Sequence, residues 1–116
     1  MQEQLRELIT KHCTTLANEL AAMDACFQNV SQPGAQHIDA VKEGIEHAHK
    51  IKGSSGSIGF PEISAAAASL EFCFRDIAAS NAVVSPAQKE KLIDCYGDLA
   101  RLIGSVKPQQ STLYNL

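Results

Sequence analysis

The chain has 116 residues, 45% of them hydrophobic, enough for one modest buried core and too few for a second folded domain, so residues 1–116 read as one domain. Ten basic residues against 13 acidic ones leave a net charge of −3; with no basic run, two Tyr and four Phe, there is neither a phosphate-tracking groove nor a base-stacking platform, and nucleic acid is not an expected partner. No stretch reaches the ~18 apolar residues of a membrane span, and the N-terminus lacks a basic lead into an apolar run, so a soluble, cytoplasmic protein without membrane contact is expected.

The first helix is predicted from about Gln2 to Asn29. Leu5, Ile9, Cys13, Leu16, Leu20, Met23 and Phe27 recur there at spacings of three and four and form one seam. Ser31-Gln32-Pro33-Gly34 breaks it. Proline suits a first helical turn and Ser31 or Gln32 could cap it, so the second helix should start near Pro33, with Ile38, Val41, Ile45, Ala48, Ile51 and Ser55 as its seam.

Phe60-Pro61 marks the next boundary, because the residue before proline is steered away from helical geometry. Ile63, Ala66 or Ala67, Leu70, Phe74 and Ile77 then build a third helix, and the alanines at 65–68 add helix propensity with little bulk, which lets a neighbour come close. Ser85-Pro86-Ala87-Gln88 opens the fourth with a serine cap, proline at the first helical position and glutamine where a capping box needs it. Leu92, Tyr96, Leu99 and Ile103 form its seam. Four amphipathic helices with short connections predict an all-α fold, an antiparallel up-down-up-down four-helix bundle. From about residue 106 the tail is expected to be irregular, since Pro108 opposes helix continuation, although Leu113, Tyr114 and Leu116 could fold back onto the bundle.

Cys13, Cys26, Cys73 and Cys95 lack Cys-x-x-Cys spacing, so no zinc or redox site is pre-formed. Two disulfides are arithmetically possible. Free thiols are expected, because three of the four cysteines fit apolar helical positions and an unexported chain meets a reducing cytosol.

The stretch from His49 to Gly59 carries the chemistry. At about 100° per residue, Lys52 lies roughly 60° to one side of His49, Gly53 roughly 40° to the other and Gly56 almost directly below, so one strip would hold an imidazole, an ammonium and two bare backbone positions. Read locally, Gly53-Ser54-Ser55-Gly56-Ser57 resembles a loop that ends the helix at Lys52. Against this, Ile51, Ser55 and Ile58 continue the seam of Ile45 and Ala48, and continuation to about Ser57 is the favoured reading. Two glycines there would forgo about 2 kcal/mol of helix propensity, for which steric access beside His49 is a sensible reason.

The string Ala48-His49-Lys50-Ile51-Lys52-Gly53-Ser54-Ser55, followed by Ile58-Gly59 and later by Leu70-Glu71, resembles the signature of histidine-containing phosphotransfer (HPt) domains. It departs from that pattern at Gly56, where many relatives carry a larger small residue such as alanine. The resemblance implies a phosphocarrier: His49 takes a phosphoryl group from a receiver-domain aspartate and passes it to another receiver in a multistep phosphorelay. By the same resemblance, Lys52 offsets the phosphoryl charge, while Gly53 and Gly56 clear space for the docking domain. The implied partners are receiver domains of response regulators and hybrid sensor kinases, met by a monomer. No cofactor is implied for this chain, magnesium belonging to the receiver. Without a Gly-x-x-x-x-Gly-Lys loop it should not phosphorylate itself from ATP, so it is not read as an enzyme.

Competing readings remain at this stage. The chain could be a helical adapter that holds a partner on an apolar face with His49 inert, since a bundle fold does not specify function. A metal-storing bundle would need Glu-x-x-His pairs on facing helices; Glu46 and His49 make one and no second exists. His47 and His49, two residues apart, point to different sides of a helix and do not form a metal pair. Glu46 could orient the His49 imidazole, but a solvated carboxylate is the stronger expectation; Lys50 could rim a docking surface or be an ordinary exposed lysine. His12 and His37 have no recognisable partners and are expected at the surface or its boundary.

Overall fold

The computed structural model describes residues 2–30, 35–80 and 84–116, with only the backbone described at 35–37. Each periodic segment becomes a helix: α1 spans Gln2–Asn29, α2 Ala35–Ser57, α3 Pro61–Ala79 and α4 Pro86–Gly104, followed by a short 3₁₀ turn at Pro108–Gln110. No strand occurs among the described residues. The expected cap at Ser31 or Gln32, the start of α2 near Pro33 and the side chain of His37 lie outside the described residues.

The helices run antiparallel, as their cross-contacts show. Going forward along α1 from His12 through Glu19 to Cys26, the partners on α2 run backward from Ser55 through His47 to Glu43. Ser64 and Glu71 of α3 likewise meet Lys52 and then His49 of α2, and Cys73 and Asp76 meet Cys95 and then Gln88 of α4. Tyr96 on α4 closes the ring by stacking on Phe27 of α1 at 4.6 Å and donating its hydroxyl to Asp24. The result is a four-helix bundle with principal extents of 50 × 21 × 20 Å.

Seam residues make the core. Ile9, Leu16 and Met23 of α1, Ile63, Ala67, Leu70, Phe74 and Ile77 of α3, and Leu92, Leu99 and Ile103 of α4 are all buried. Each large apolar side chain so removed from water contributes about 1.5–3 kcal/mol before entropy is counted. In α2 the seam runs differently from the sequence expectation: Val41, Ala48, Ile51 and Ser55 are buried, but Ile38 is 65% exposed. The packing line passes through Gly44, where an added Cβ would stand 2.6 Å from the Phe74 ring. The aromatic ring of α3 thus occupies the space a side chain would need, the helices close around it, and Ile38 is turned off the packed face. A seam traced through isoleucines misses this, because the residue at its centre has no side chain.

Helix ends follow local chemistry. Ser85 accepts from the Gln88 backbone N–H at 3.1 Å while the Gln88 side chain accepts from the Ser85 N–H at 3.0 Å, completing the expected capping box of α4. Pro61 stands at the start of α3. Gly59 ends the α2 turn at φ +93°, left-handed backbone that favours glycine.

The tail is not left loose. Ser111 Oγ donates to the Ile58 carbonyl at 2.7 Å, the Thr112 N–H donates to the Gly59 carbonyl at 2.9 Å, and Arg6 Nε donates to the Tyr114 carbonyl at 2.9 Å with its guanidinium over the Tyr114 ring. A Cβ on Gly59 would meet Ser111 Oγ at 2.5 Å, so this glycine serves both the turn and the docked tail. Leu113 and Tyr114 fold back against the core as the sequence allowed, whereas Leu116, at the chain end, stays exposed.

Candidate functional site

α2 continues as helix through Gly53-Ser54-Ser55-Gly56 to Ser57, as the seam required. Serine hydroxyls help the weak segment by bonding back within the helix: Ser54 Oγ donates to the Lys50 carbonyl at 2.8 Å and Ser57 Oγ to that of Gly53 at 3.0 Å. Ser55 is fully buried, and its hydroxyl shares a 3.1 Å hydrogen bond with His12 Nε2. His12 is therefore a core residue and not the surface or boundary residue expected; it also stacks on Phe60, and burial lowers its pKa below 6.5. Its partner lies 43 residues away, on another helix, where α1 periodicity gives no sign of it.

On the opposite flank, α2 and α3 bring four polar side chains together. Glu71 sits within α3 with its side chain only 7% exposed, and both carboxylate oxygens are occupied. Lys52 Nζ reaches Oε1 at 3.0 Å; Arg75, one helical turn on, places Nη2 and Nε at 2.7 and 2.8 Å from Oε2. His49 Nδ1 lies 3.3–3.4 Å from the two oxygens. Burial alone would raise the Glu71 carboxyl, but hydrogen bonds from Lys52, Arg75 and His49 outweigh it and hold the pKa down to about 2.

That charge state determines the imidazole tautomer. An ionised carboxylate only accepts hydrogen bonds, so Nδ1 carries a proton, and in the neutral form of the ring the lone pair lies on Nε2. The His49 side chain is 65% exposed. Lys52 and Arg75 against Glu71 leave one formal positive charge in the cluster that holds the imidazole. The site is therefore an oriented imidazole, its Nδ1 held on a buried carboxylate and its side chain 65% exposed.

The glycines of the strip differ. Nothing lies within 4 Å of a Cβ built on Gly53, so space beside His49 is open there. A Cβ on Gly56 would stand 3.3 Å from Ser64 Oγ, whose hydroxyl donates to the Lys52 carbonyl at 2.8 Å. Gly56 thus leaves room for the Ser64 hydroxyl that ties α3 to the site helix.

Sequence reasoning gave Glu71 no role, although it stood in the Leu70-Glu71 pair of the family string. A carboxylate one position from a buried leucine, with arginine four residues later, was the available signal. Glu46 is exposed and has no hydrogen-bond or ion-pair partner among the described residues, so orientation of His49 falls to Glu71. His47 turns to the α1 flank, where Glu19 takes its Nδ1 at 2.7 Å and Lys50 Nζ at 2.9 Å. Among the described residues, no group of three or more His, Cys, Asp or Glu side chains could hold a metal ion, and no helix is long and apolar enough to cross a membrane.

A family model for the Hpt domain matches residues 1–102 of this chain. The chain belongs to the Hpt domain family. That family comprises phosphocarriers of two-component signalling that interact with receiver domains. The match covers all four helices of the bundle up to Leu102 and leaves the docked tail outside. No curated protein and no solved structure matches the chain.

Proposed function

We propose that this Hpt domain is a phosphorelay carrier in which His49 Nε2 accepts a phosphoryl group from a receiver-domain aspartyl phosphate and passes it to the aspartate of another receiver. What supports this reading is the asymmetry of the imidazole, with Nδ1 held on a buried carboxylate and Nε2 facing open space. In the accepting step the Nε2 lone pair attacks phosphorus in line, the phosphorus–oxygen bond to the aspartate breaks, and the carboxylate leaves with the bonding pair. The Nδ1 proton stays in place. The positive charge that develops on the phosphorylated ring faces Glu71, and the phosphoryl oxygens meet the cation of Lys52. Delivery is the same step reversed against a second receiver.

Placement and charge neutralisation dominate phosphoryl transfer, and the receiver's own acidic pocket and magnesium supply the remainder. The chain then needs no nucleotide site and acts as a carrier without kinase activity, working as a cytoplasmic monomer. Gly53 gives the receiver access, and Gly56 keeps Ser64 and α3 close beneath the approach. The test is to mix the full chain with a phosphorylated receiver and follow label. An acid-labile, base-stable phosphoryl group on His49 is expected; its absence with every competent receiver of the host would favour a helical adapter with an inert histidine.

A further inference from the structure

The flank between α3 and α4 carries a pair of sulfurs that the phosphoryl chemistry does not use. Cys73 Sγ and Cys95 Sγ lie 3.3 Å apart, both as free thiols, and share a hydrogen bond across the two helices. Cys73 is buried at 4% exposure, whereas Cys95 is partly open to solvent. Cys13 and Cys26 stand on one helix, 13 residues and so about 20 Å apart along its axis, and cannot meet each other.

We infer that Cys73 and Cys95 form a reactive dithiol site that low-molecular-weight disulfides oxidise to an intramolecular disulfide between α3 and α4. A disulfide requires sulfurs about 2.05 Å apart, so closure asks for roughly 1.2 Å of approach between side chains already in contact. Exposure sets the order of events. The Cys95 thiolate attacks one sulfur of the small disulfide, that sulfur–sulfur bond breaks, and the first small thiolate leaves and takes up a proton. Cys73, losing its proton, then attacks Cys95 Sγ and expels the second small thiolate, which is protonated in turn. Two protein thiols are oxidised by two electrons and one small disulfide is reduced to two thiols.

The surroundings set which of the two thiols reacts first. Burial, followed by the Cys95 hydrogen bond and charge, pushes the Cys73 thiol up to about 12, while the nearby Lys91 partly offsets this. Attack by Cys73 is consequently efficient only once its target is a neighbouring mixed disulfide. On α3, Cys73 stands about 200° round the helix from Glu71, so the dithiol occupies the flank away from His49 and its chemistry can be read without phosphoryl transfer.

The experiment is to incubate the folded full chain with oxidised glutathione at mildly alkaline pH, then measure intact mass and map peptides without reduction. Wild type should lose two hydrogens, retain no glutathione on this pair, and yield one linked peptide joining Cys73 to Cys95. Its thermal midpoint should rise by several degrees, because the bond closes a loop between positions 22 apart in sequence. Cys73→Ser should stop at a stable glutathione adduct on Cys95, and Cys95→Ser should leave Cys73 unmodified. Four free thiols after prolonged incubation, a stable wild-type adduct on Cys95, links formed elsewhere, or a lowered midpoint of the oxidised protein would each overturn the proposal; the wild-type result decides even if a variant folds poorly.

Discussion

The two flanks of α2 carry the same three residue types in different settings. On the α3 side His49 and Lys52 converge on Glu71; on the α1 side His47 and Lys50, at the same spacing, converge on Glu19. The differences lie in burial and reach. Glu71 is nearly enclosed and held by a third partner, Arg75, while its histidine stands 65% exposed at 3.3 Å. Glu19 is less buried, has two partners, and holds a histidine only 28% exposed at 2.7 Å. A His-x-x-Lys pair opposite a glutamate occurs on both flanks and does not by itself tell them apart. What distinguishes the His49 flank is a buried, multiply bonded carboxylate beneath an imidazole that projects into open space.

The strongest way to break this comparison is to remove each histidine. His49→Gln should abolish phosphoryl acceptance while the helical fold persists, because the side chain is largely exposed; His47→Gln should leave acceptance within about twofold of wild type. Label remaining on His49→Gln would place the acceptor elsewhere.

Next in size are the carboxylates. Glu71→Gln keeps the shape but leaves Lys52 and Arg75 without their anion and frees the imidazole tautomer, so transfer should fall about 10- to 100-fold. Stability should fall by about 2–3 kcal/mol, at the low end for a buried pair because the cations keep access to water. Glu19→Gln should cost under about 1 kcal/mol and change transfer little. Acid unfolding separates the two further. Glu71 titrates near 2 when folded against 4.5 ordinarily, so its stabilisation is complete above pH 4.5 and disappears as pH falls towards 2. Denaturation followed across that range should show this slope in wild type and lose most of it in Glu71→Gln; an unchanged slope would remove Glu71 as the source.

The lysines come third. Lys52→Met retains much of the aliphatic stem and loses the cation, so acceptance should slow several-fold to about tenfold, with Lys52→Arg intermediate. Lys50→Met should transfer like wild type. Equal rates and yields for the two methionine variants would show that charge beside His49 is irrelevant.

The smallest expected effect belongs to Gly53→Gln. A side chain there meets nothing in the fold, so stability should hold or rise by up to about 1 kcal/mol while transfer slows a few-fold from obstruction of the receiver. A stabilised variant with unchanged transfer kinetics would mean that the open strip is not where the partner approaches.

Much of this molecule was legible in its sequence, for identifiable reasons. Helix extents followed from periodicity and from local signals such as Ser85-Pro86-Ala87-Gln88, whose capping box needs no residue outside the turn. The glycine-rich end of α2 was resolved as helix because Ile51 and Ser55 kept the packed line. His49, Lys52 and Gly53 stood within one strip of a single helix, so spacing alone brought them together. Glu71, His12 and Gly44 depend instead on the register between helices: the first meets α2 from α3, the second finds Ser55 from α1, and the third is marked by the absence of a side chain that Phe74 replaces. Ile38 was misplaced for the same reason. One-dimensional periodicity identifies a buried face but does not specify which polar atom waits across it.

The docked tail gives the site helix a non-local terminus. Carbonyls at Ile58 and Gly59, just past the last turn of α2, are satisfied by Ser111 and Thr112, residues beyond the span shared with the Hpt family model. Helix ends ordinarily fray first, and fraying from this end would travel through Gly56 and Gly53 towards His49. Here the residues just past that end are tied to the tail, and the tail is held in turn by Arg6 of α1. The C-terminal turn of α2, the 111–114 segment and the first turns of α1 are therefore expected to exchange amide hydrogens as one unit, coupling the helix that carries His49 to chain more than 50 positions away.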